Sequence, residues 1–556
     1  ANSLLNTTSL PLHCVHLSNG SNLINPIIDS NVVRNANSNN TGASILTYGI
    51  YSQTAGAQTV RNNQINNISS SSTATAGPAQ LIGIQLSSSS SAGNTVTKST
   101  IHTLSQLNTS GTYASIIGIA YNGATTGTNL VANNFIHSLK LSTSAGSSTT
   151  NIKGLYFGGG AATVANNIIR VGIDETGASI TGNYSLFGID EQSDGNINFY
   201  FNSIYVGGTG IVSSSTATYA FRSIAASGVD EFKNNIVFNA RSNSSGSAKH
   251  YVMHVTTIAT LSSNFNLFFF NGTGGLFGYG ATGDRANLSA WRVATLQDGN
   301  SGFADPNFVA PTGTSSTVDL HVQSPTAAEG AGTEIASVTE DLDGQTRSAL
   351  TPVDIGADAG NFTMNDVFPP LFSVTAPNSR TSSTGNLTFT ATISDVTGLP
   401  TTGSLVPRIW FRRQLPSASA WASAAGTLQS GNATNGTWSF TTNYATAAVG
   451  ETYQIYYVAQ DIVGTPNIST APNGGARTDV NTQTTAPSSP YSYLITSGFP
   501  GTYTVGTGGN YSTLTGAGGF FSALNAGTVT GNITVNILSD ITEAGTNGLN
   551  QFLEDG

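Results

Sequence analysis

The stretch Val131-Ala132-Asn133-Asn134-Phe135-Ile136 places two asparagines between short apolar segments. It returns 33 residues later as Val164-Ala165-Asn166-Asn167-Ile168-Ile169. Related motifs are centred on Asn62-Asn63, Phe201-Asn202 and Asn234-Asn235, and an apolar column accompanies them at Ile28, Val60, Val96, Val131, Val164, Phe199 and Phe232. A period of this length is typical of repeat proteins, in which each repeat is one structural unit that stacks on its neighbours.

A second signature in each period is a glycine between apolar residues. Its clearest copies are Tyr48-Gly49-Ile50, Ile82-Gly83-Ile84, Ile117-Gly118-Ile119, Lys153-Gly154-Leu155 and Phe187-Gly188-Ile189, with looser versions at Tyr219-Ala220-Phe221 and Tyr251-Val252-Met253. The asparagine motif follows the glycine motif within each period, so that several columns of the repeat stay in register. Such agreement indicates that every period folds in the same way.

The periods contain short β-prone segments separated by Ser, Thr and Gly, and none has the apolar spacing of an amphipathic helix. This pattern excludes a helical solenoid. A parallel β-helix fits it, because its coils carry two or three short strands and stack about 4.8 Å apart through backbone hydrogen bonds. We therefore predict an all-β chain built around a parallel β-helix. A propeller and a tandem of sandwiches are the alternatives, although a propeller blade needs about 40 residues and four strands.

The recurrent asparagines are expected to form a ladder at one turn of the coil. Stacked side-chain amides can hydrogen bond to the same residue of the next coil or to a carbonyl of the turn. The predicted members are Asn31, Asn63, Asn134, Asn167, Asn202 and Asn235.

Composition narrows the function classes. Charged residues make up only 8% of the chain and hydrophobic residues 38%, so the composition is that of a folded, hydroxyl-rich protein rather than a disordered one. The net charge is -10 and the basic residues are scattered, which makes nucleic acid an unlikely partner. Cys14 is the only cysteine, and no apolar run is long enough to cross a membrane. These features favour a large secreted or cell-surface protein without membrane insertion.

From Gly283 the period ends and a different series of motifs begins. They are Leu288-Ser289-Ala290-Trp291, Asp305-Pro306-Asn307-Phe308, Asp319-Leu320-His321-Val322, Asp341-Leu342-Asp343-Gly344 and Asp354-Ile355-Gly356-Ala357-Asp358. This series resembles the closing segment of right-handed parallel β-helix proteins in large exported proteins of Bacteroidota-type bacteria. The resemblance implies a right-handed β-helix with its closing segment over residues 1–362, and export by the type IX route. Ala359 departs from the family, which usually carries Glu there.

Two further modules are expected after the linker at Pro369-Pro370. Residues 366–487 resemble the immunoglobulin-like sandwich that accompanies these β-helices, through segments such as Leu387 to Ile393, Pro407 to Phe411 and Tyr453 to Asp461. Their alternating strands also predict a sandwich independently, with Trp410, Trp438 and Tyr457 in its inner layer. Residues 490–556 resemble the cap and first strands of a following β-helix, with a short plug helix carrying Phe520, Phe521 and Leu524.

The residues two positions after each repeat glycine form an outward column by strand alternation. They are Tyr51, Gln85, Ala120, Tyr156, Asp190, Arg222 and His254. The last three are expected on successive coils, about 5 Å apart. This column is interpreted either as a solvated charge ladder, or as a sugar-contacting patch with Tyr156 as its platform, or as a catalytic set.

Catalysis is the weakest of these interpretations. Glycosidases hold two carboxylates about 5 to 10 Å apart across the scissile bond. Asp190, Glu191 and Asp194 are the best cluster, but Glu191 is expected to point away from Asp190 along the strand. We therefore predict no catalytic residues, and Tyr156, Asp190, Arg222 and His254 remain candidate ligand-binding residues.

A weak calcium candidate lies in the closing segment, at Asp341 and Asp343. Their spacing resembles the first half of a calcium-binding loop, which uses oxygen ligands at alternating positions. The bidentate Glu of such a loop is missing, because Leu350 occupies its position. The alternative is a turn that docks on the end of the β-helix, with Arg347 paired to Asp341 or Asp354. We predict no cofactor.

The sequence thus favours an extracellular structural or adhesive repeat unit of a long cell-surface or filament-forming protein, and not an enzyme. A carbohydrate-binding module and a polysaccharide lyase or hydrolase are the alternatives. The expected partners are neighbouring copies arranged head to tail and surface glycans. Neighbouring copies are expected because residues 490–556 would complete a β-helix that begins at Ala1.

Overall fold

The computed structural model describes residues 4–6, 11–18, 25–39, 45–71, 79–87, 93–107, 114–142, 149–212, 216–280, 282–350, 353–444, 447–475, 477–482 and 485–550. The chain forms two compact units, Ala1–Phe368 and Pro369–Gly556. In the described residues, no helix is long and apolar enough to span a membrane.

Three long sheets run along the first unit. Sheet 1 contains Leu4–Asn6, Val32–Ser38, Gln64–Ser70, Thr100–Gln106, Phe135–Leu141, Ile168–Val171, Ser203–Val206, Ile236–Asn239, Leu267–Phe270 and Gly302–Phe303. Sheet 2 contains Leu12–Leu17, Ile45–Gln53, Ala79–Ser87, Ala114–Asn122, Asn151–Gly159, Ser185–Glu191, Thr218–Ser223, His250–Val255, Gly275–Gly280 and Gly283–Arg285. Sheet 3 contains Ile27–Asp29, Thr59–Arg61, Thr95–Thr97, Leu130–Ala132, Ala162–Ala165, Ile197–Tyr200, Asp230–Lys233 and Leu261–Asn264.

Neighbouring strands in these sheets come from successive coils and pair in parallel. Ile65 pairs with Ile101, and Ile101 in turn pairs with Ile136. The exception is the last strand of sheet 2, Gly283–Arg285, which is antiparallel to Gly275–Gly280. The unit is therefore a parallel β-solenoid, which confirms the all-β class and the parallel β-helix predicted from the repeat.

The interior of the solenoid is filled by stacked aliphatic and aromatic columns. The inward column of sheet 2 includes Ile50, Ile84, Ile119, Leu155, Ile189, Phe221 and Met253, and that of sheet 3 includes Val60, Val96, Val131, Val164, Phe199 and Phe232, all of them buried. Burial of each such side chain contributes about 1.5 to 3 kcal/mol. The strand alternation expected from the sequence thus builds one continuous core.

Glycine is required at this position of the repeat because sheet 2 lies close both to sheet 1 and to the next coil. A Cβ atom on Gly83 would lie 2.6 Å from the Gly118 carbonyl oxygen and 2.6 Å from Cγ2 of Ile101 on sheet 1. A Cβ atom on Gly118 would meet Ile136 and the Gly154 carbonyl in the same way. A side chain at Gly83 or Gly118 would push sheet 2 away from sheet 1, which explains the glycines of these coils.

The asparagine pair combines a left-handed turn with a buried ladder. The first residue of each pair has positive φ, as at Asn133 (55°) and Asn166 (54°), a conformation that Asn tolerates better than most residues. The second residue donates from its side-chain amide to the next coil. Asn134 donates to Asn167 (2.9 Å), Asn167 to Asn202 (2.9 Å), Asn202 to Asn235 (2.9 Å) and Asn235 to Asn266 (3.1 Å). The predicted ladder is confirmed, with Ser99 replacing Asn in the coil between Asn63 and Asn134.

A closing segment follows the last coil. Helix α1 (Leu288–Thr295) packs the fully buried Trp291 against the core, and the Trp291 indole donates to Asp298 (2.8 Å). The chain then forms the antiparallel pair Phe308–Ala310 and Asp319–Val322. The other short elements of this unit are the pair Ile211–Val212 and Asn243–Ser245 and the 3-10 helices Ile258–Thr260 and Arg347–Ala349.

The sequence suggested that the Asp341–Gly344 turn docks on the end of the solenoid. The structure does not place it there. It lies along the side, where Asn133 donates to the carbonyls of Asp341 and Leu342. Further along, the Gly356 N–H donates to the Asn234 carbonyl. The exposed amides and carbonyls of the left-handed turns offer hydrogen bonds on this side, and the closing segment uses them.

The second unit contains two sheets with a shared core. Sheet 4 consists of Leu371–Ser373, Thr388–Ser394, Asn435–Thr441 and Thr427–Gly431, and sheet 5 of Arg380–Thr381, Tyr491–Ile495, Thr452–Gln460, Arg408–Leu415, Ala422–Ala425 and Ile468–Ala471. Trp438 and Tyr457 lie in the core, as predicted. Trp410 does not: its neighbours Ile409 and Phe411 face the core, and strand alternation puts Trp410 on the opposite face with Tyr456.

The last described elements form a small parallel pair. Gly498–Val505 pairs with Thr528–Ile537, and helix α2 (Phe520–Ala526) connects them. Phe520 and Leu524 of α2 are buried against Phe499 and Val505. The chain thus runs through a strand, a crossover helix and a second strand parallel to the first. Next to this pair, the hydroxyls of Thr496 and Thr528 hydrogen bond to each other across a sequence separation of 32 residues.

Candidate functional site

The outward side of sheet 2 carries two adjacent columns of side chains. The spacing of the repeat predicted one of them, and the structure places Tyr156, Asp190, Arg222 and His254 on successive strands in that order. The second column consists of the residues before each repeat glycine, including Lys153, Phe187, Tyr219 and Tyr251. We call Lys153, Tyr156, Phe187, Asp190, Tyr219, Arg222, Tyr251, His254 and Tyr279 the aromatic face.

A buried carboxylate lies at the centre of the aromatic face. Asp190 is 0% exposed, and its two oxygens accept from Lys153 Nζ (2.7 Å) and Arg222 Nε (2.7 Å). The side chains of Lys153 and Arg222 are 12% and 21% exposed. Burial lowers the pKa of Lys153, although the charge of Asp190 opposes this shift. The result is a three-residue ion pair network with one anion below two cations.

Aromatic rings flank both cations. Lys153 Nζ lies 4.0 Å from the centre of the Tyr156 ring, and the Arg222 guanidinium lies 4.4 Å from that of Phe187. Phe187 and Tyr219 stack with their centres 5.0 Å apart. Such cation–π contacts are worth about 0.5 to 2 kcal/mol each and hold the charged groups in fixed positions.

His254 extends the face toward the last coil of the solenoid. Its ring stacks on Tyr279 at 4.8 Å and meets Tyr219 edge-on at 5.0 Å. Burial, followed by the charge of Arg222, lowers the pKa of His254 to about 4. The imidazole is therefore neutral at pH 7 and acts on this face as an aromatic ring rather than as a cation.

The carboxylates around Asp190 do not converge. Glu191 points into the solenoid, as predicted, and accepts from the Ser223 hydroxyl in the next coil. Asp194 accepts from the N–H groups of Ala226 and Ser227 at a turn. Asp190 itself uses both oxygens in ion pairs. This arrangement can bind a ligand through rings and cations, and it holds no two carboxylates across a common space.

A second aromatic cluster occupies the first coils of the same sheet. His16 stacks on Tyr51 at 5.0 Å, Tyr48 stacks on Tyr51 at 4.9 Å, and His13 meets Tyr48 edge-on at 4.8 Å. Sequence reasoning did not bring these two histidines together with the tyrosines. The pairing of Leu12–Leu17 with Ile45–Gln53 brings His13 and His16 next to Tyr48 and Tyr51. Their matching positions within the repeat were the sequence signal that could have predicted this contact.

The closing segment contains a group of residues that could hold a metal ion. His321, Asp343 and Asp358 place ligand atoms within 4.8 Å of one another. His321 also approaches Asp319 through Nδ1 (2.5 Å) and Asp343 through Nε2 (3.1 Å). Burial opposes a charge on His321, but the hydrogen bond to Asp319 and the charge of Asp358 raise its pKa above the usual value. An imidazolium between carboxylates accounts for this cluster as it stands.

The two calcium candidates have different environments. Asp341 is fully buried, and its carboxylate accepts from the N–H groups of Asp343, Gln345 and Ala359. It therefore stabilises the turn. Asp343 is half exposed and faces His321. Arg347, which the sequence paired with Asp341 or Asp354, instead donates to Asn166 and to the carbonyls of Gly356 and Ala357.

No family model matches this chain, and no curated protein or solved structure matches it either. The inference about function therefore rests on the geometry of the aromatic face and of the solenoid that carries it.

Proposed function

We propose that this chain is an extracellular structural and adhesive element, a stiff β-solenoid whose aromatic face binds glycans. The observation that carries the proposal is the unbroken line of rings and cations from Lys153 to Tyr279, which occupies five successive strands of sheet 2. A surface of this kind, with side chains repeated from strand to strand, suits an extended chain ligand better than a compact one.

Stiffness is supported by the way in which the coils are joined. Each coil hydrogen bonds to the next through three sheets and through the buried asparagine ladder. Loss of one ladder residue would leave buried donors and acceptors unpaired, each at a cost of about 1 to 3 kcal/mol. The coils therefore bend or separate only when several hydrogen bonds break together.

The chemistry of the aromatic face matches that of a sugar chain. A pyranose ring has an apolar face of C–H groups and hydroxyls around its edge. Aromatic rings such as Tyr156 and Tyr219 offer a partly exposed apolar surface with a polar hydroxyl. Lys153 and Arg222, between these rings, supply N–H donors for hydroxyl or carboxylate oxygens.

The proposal extends to the finer architecture and to the partners. Residues 366–487 are an immunoglobulin-like sandwich, which the two sheets and their common core support. Residues 490–556 begin a second β-helix that associates head to tail with a neighbouring copy. The parallel pairing of Gly498–Val505 with Thr528–Ile537 and the exposed Ile537 support this part. Such a chain belongs outside the cell, on a surface or in a filament.

Binding to a panel of immobilised acidic and neutral polysaccharides tests the proposed function. We expect the full chain to bind at least one of them, and Tyr219→Ala to weaken that binding by about tenfold or more, because the ring at the centre of the face is lost. The matched control is Tyr51→Ala, a half-buried tyrosine in the adjacent column at the other end of the sheet. Thermal melting of both variants reports any loss of folding.

Three outcomes would contradict the proposal. The first is that no polysaccharide binds, and the second is that Tyr51→Ala and Tyr219→Ala weaken binding equally. The third is cleavage: new reducing ends or unsaturated uronates that disappear in His254→Ala or Asp190→Asn would make the face a catalytic site.

A further inference from the structure

A cleft of about 740 Å³ opens in the second unit, where the chain passes from one sheet to the other. Leu371–Ser373 pairs within sheet 4, whereas Arg380–Thr381 pairs with Tyr491–Ile495 of sheet 5. Thr375, Pro377 and Asn378, which lie between these strands, form one wall of the cleft. The change of sheet leaves a gap at the edge of the sandwich, and its size is in the range of small-molecule sites.

The inner part of the cleft is aromatic. Tyr457 and Tyr493, which are 1% and 2% exposed, contribute to its lining from the core. Phe389 of sheet 4 is half-buried and lines the cleft as well. The Tyr493 hydroxyl is buried and has no hydrogen-bond partner among the described residues. An unsatisfied buried donor is destabilising, so an acceptor that reached it would be bound favourably.

The outer part of the cleft is hydroxylated and has one positive charge. Thr375, Thr388 and Thr390 are exposed around the opening. Arg380 is the only one of the described lining residues that carries a full charge at pH 7. One of its N–H groups donates to the Asn525 carbonyl (2.6 Å), and a guanidinium has five donors in a geometry that suits a carboxylate.

We propose that this cleft binds a short acidic oligosaccharide. A sugar ring packs its apolar face on Phe389, its carboxylate accepts from Arg380, and a ring oxygen or hydroxyl accepts from Tyr493. The threonine hydroxyls hydrogen bond to the remaining hydroxyls of the sugar. This site is separate from the aromatic face, whose residues all belong to the first unit, and it does not depend on the function proposed for that face.

Calorimetric titration of the full chain with tetragalacturonate tests the proposal. All proteins in the series carry Tyr219→Ala, so that binding at the aromatic face is weakened. Maltotetraose, which is neutral, is the matched ligand. We expect tetragalacturonate to bind at least about tenfold more tightly than maltotetraose, because only the acidic sugar forms the charge-assisted contact with Arg380.

Three variants assign the binding to the cleft. Arg380→Gln and Phe389→Ala are each expected to weaken binding about tenfold or more. Tyr493→Phe is the most specific test, because it removes only the hydroxyl. It is expected to weaken binding about tenfold while the melting temperature of the free protein stays the same or rises. Trp421→Ala, a half-buried aromatic residue of the same unit outside the cleft, is the control and should bind like its parent.

The proposal is overturned if tetragalacturonate does not bind or if it binds no better than maltotetraose. It is also overturned if Tyr493→Phe binds like its parent, since the hydroxyl then takes no part, or if Trp421→Ala weakens binding as much as the cleft variants do.

Discussion

Asp190 and Glu191 are neighbours in sequence and both are fully buried, yet they lie on opposite sides of the same strand. Asp190, on the outward side, is held by Lys153 and Arg222. Glu191, on the inward side, accepts from a serine hydroxyl and forms no ion pair among the described residues. Strand alternation alone thus gives two adjacent carboxyl groups different roles. One is an anion that organises a surface, and the other is an acid that resists ionisation.

The inward acid has a second carboxyl group nearby. Burial raises the pKa of Glu191 to about 8, and burial also raises that of Asp230 to about 7. Each keeps one buried oxygen without a hydrogen-bond partner among the described residues. The charge of Asp230 adds to the effect of burial on the pKa of Glu191.

The largest expected effect is therefore a loss of stability as pH rises from about 4 to about 8. Both folded-state pKa values lie above the usual values of 4.5 and 3.8 for these carboxyl groups. The stabilisation is therefore complete below about pH 4 and is lost progressively as pH rises from there to about 8. The free energy of unfolding should fall by several kcal/mol over this range. Urea unfolding at a series of pH values measures it. The double variant Glu191→Gln with Asp230→Asn should decline clearly less than the wild-type protein, and buried carboxyl groups such as Asp354 and Asp358, whose pKa values burial also raises, account for a part that remains.

A double variant that kept the full decline in stability between pH 4 and pH 9 would show that other groups cause it. Comparison with the wild-type protein at each pH cancels the contributions of His254 and of the other histidines, which are the same in both proteins.

The next effect concerns the outward acid. Asp190→Asn leaves two partly buried cations without their anion, and we expect it to lower the free energy of unfolding by about 3 kcal/mol. Asp29→Asn is the matched control, because Asp29 also pairs with an arginine of the next coil, Arg61 (2.8 Å), but in solvent. Urea unfolding at pH 7 should show little change for this control. Equal losses in the two variants would mean that burial of the Asp190 network is unimportant.

The smallest effect is expected for one cation of the same network. Lys153→Gln removes a single ion pair and leaves Arg222 on Asp190, so the free energy of unfolding should fall by about 1 to 2 kcal/mol. The effect should nearly vanish when Lys153→Gln is combined with Asp190→Asn, and a double-mutant cycle measures this coupling. If the losses were simply additive, Lys153 would stabilise the protein by packing on Tyr156 and not through Asp190.

Much of the solenoid could be predicted from the sequence because its period carries the information. The repeat glycine, the aliphatic columns and the asparagine ladder recur at fixed positions, and backbone pairing between coils makes each recurrence a spatial contact. The same logic placed Asp190, Arg222 and His254 on neighbouring strands. It failed for Lys153, because we assigned its position to the apolar flank of the glycine motif and did not consider it as a partner for Asp190.

Where no period exists, less could be predicted. Trp410 was assigned to the wrong face because alternation gives two equivalent choices, and only the packing of Ile409 and Phe411 decides between them. The closing segment was placed at the end of the solenoid because its docking partners, such as Asn133 and Asn234, are more than 90 residues away in sequence. The cleft in the second unit depends on where a strand changes sheets, and no local residue pattern marks that point.

The asparagine ladder has a consequence for how such a chain can change in length. Each ladder asparagine from Asn134 to Asn235 hydrogen bonds to its counterpart in the next coil, 31 to 35 residues away. Removing or duplicating one complete coil therefore brings equivalent residues into contact again, whereas an insertion of a few residues inside the Asn-Asn turn breaks the series. Over evolutionary time, recombination between neighbouring repeats would lengthen or shorten this protein in whole coils, and the reach of its aromatic face would change in the same steps.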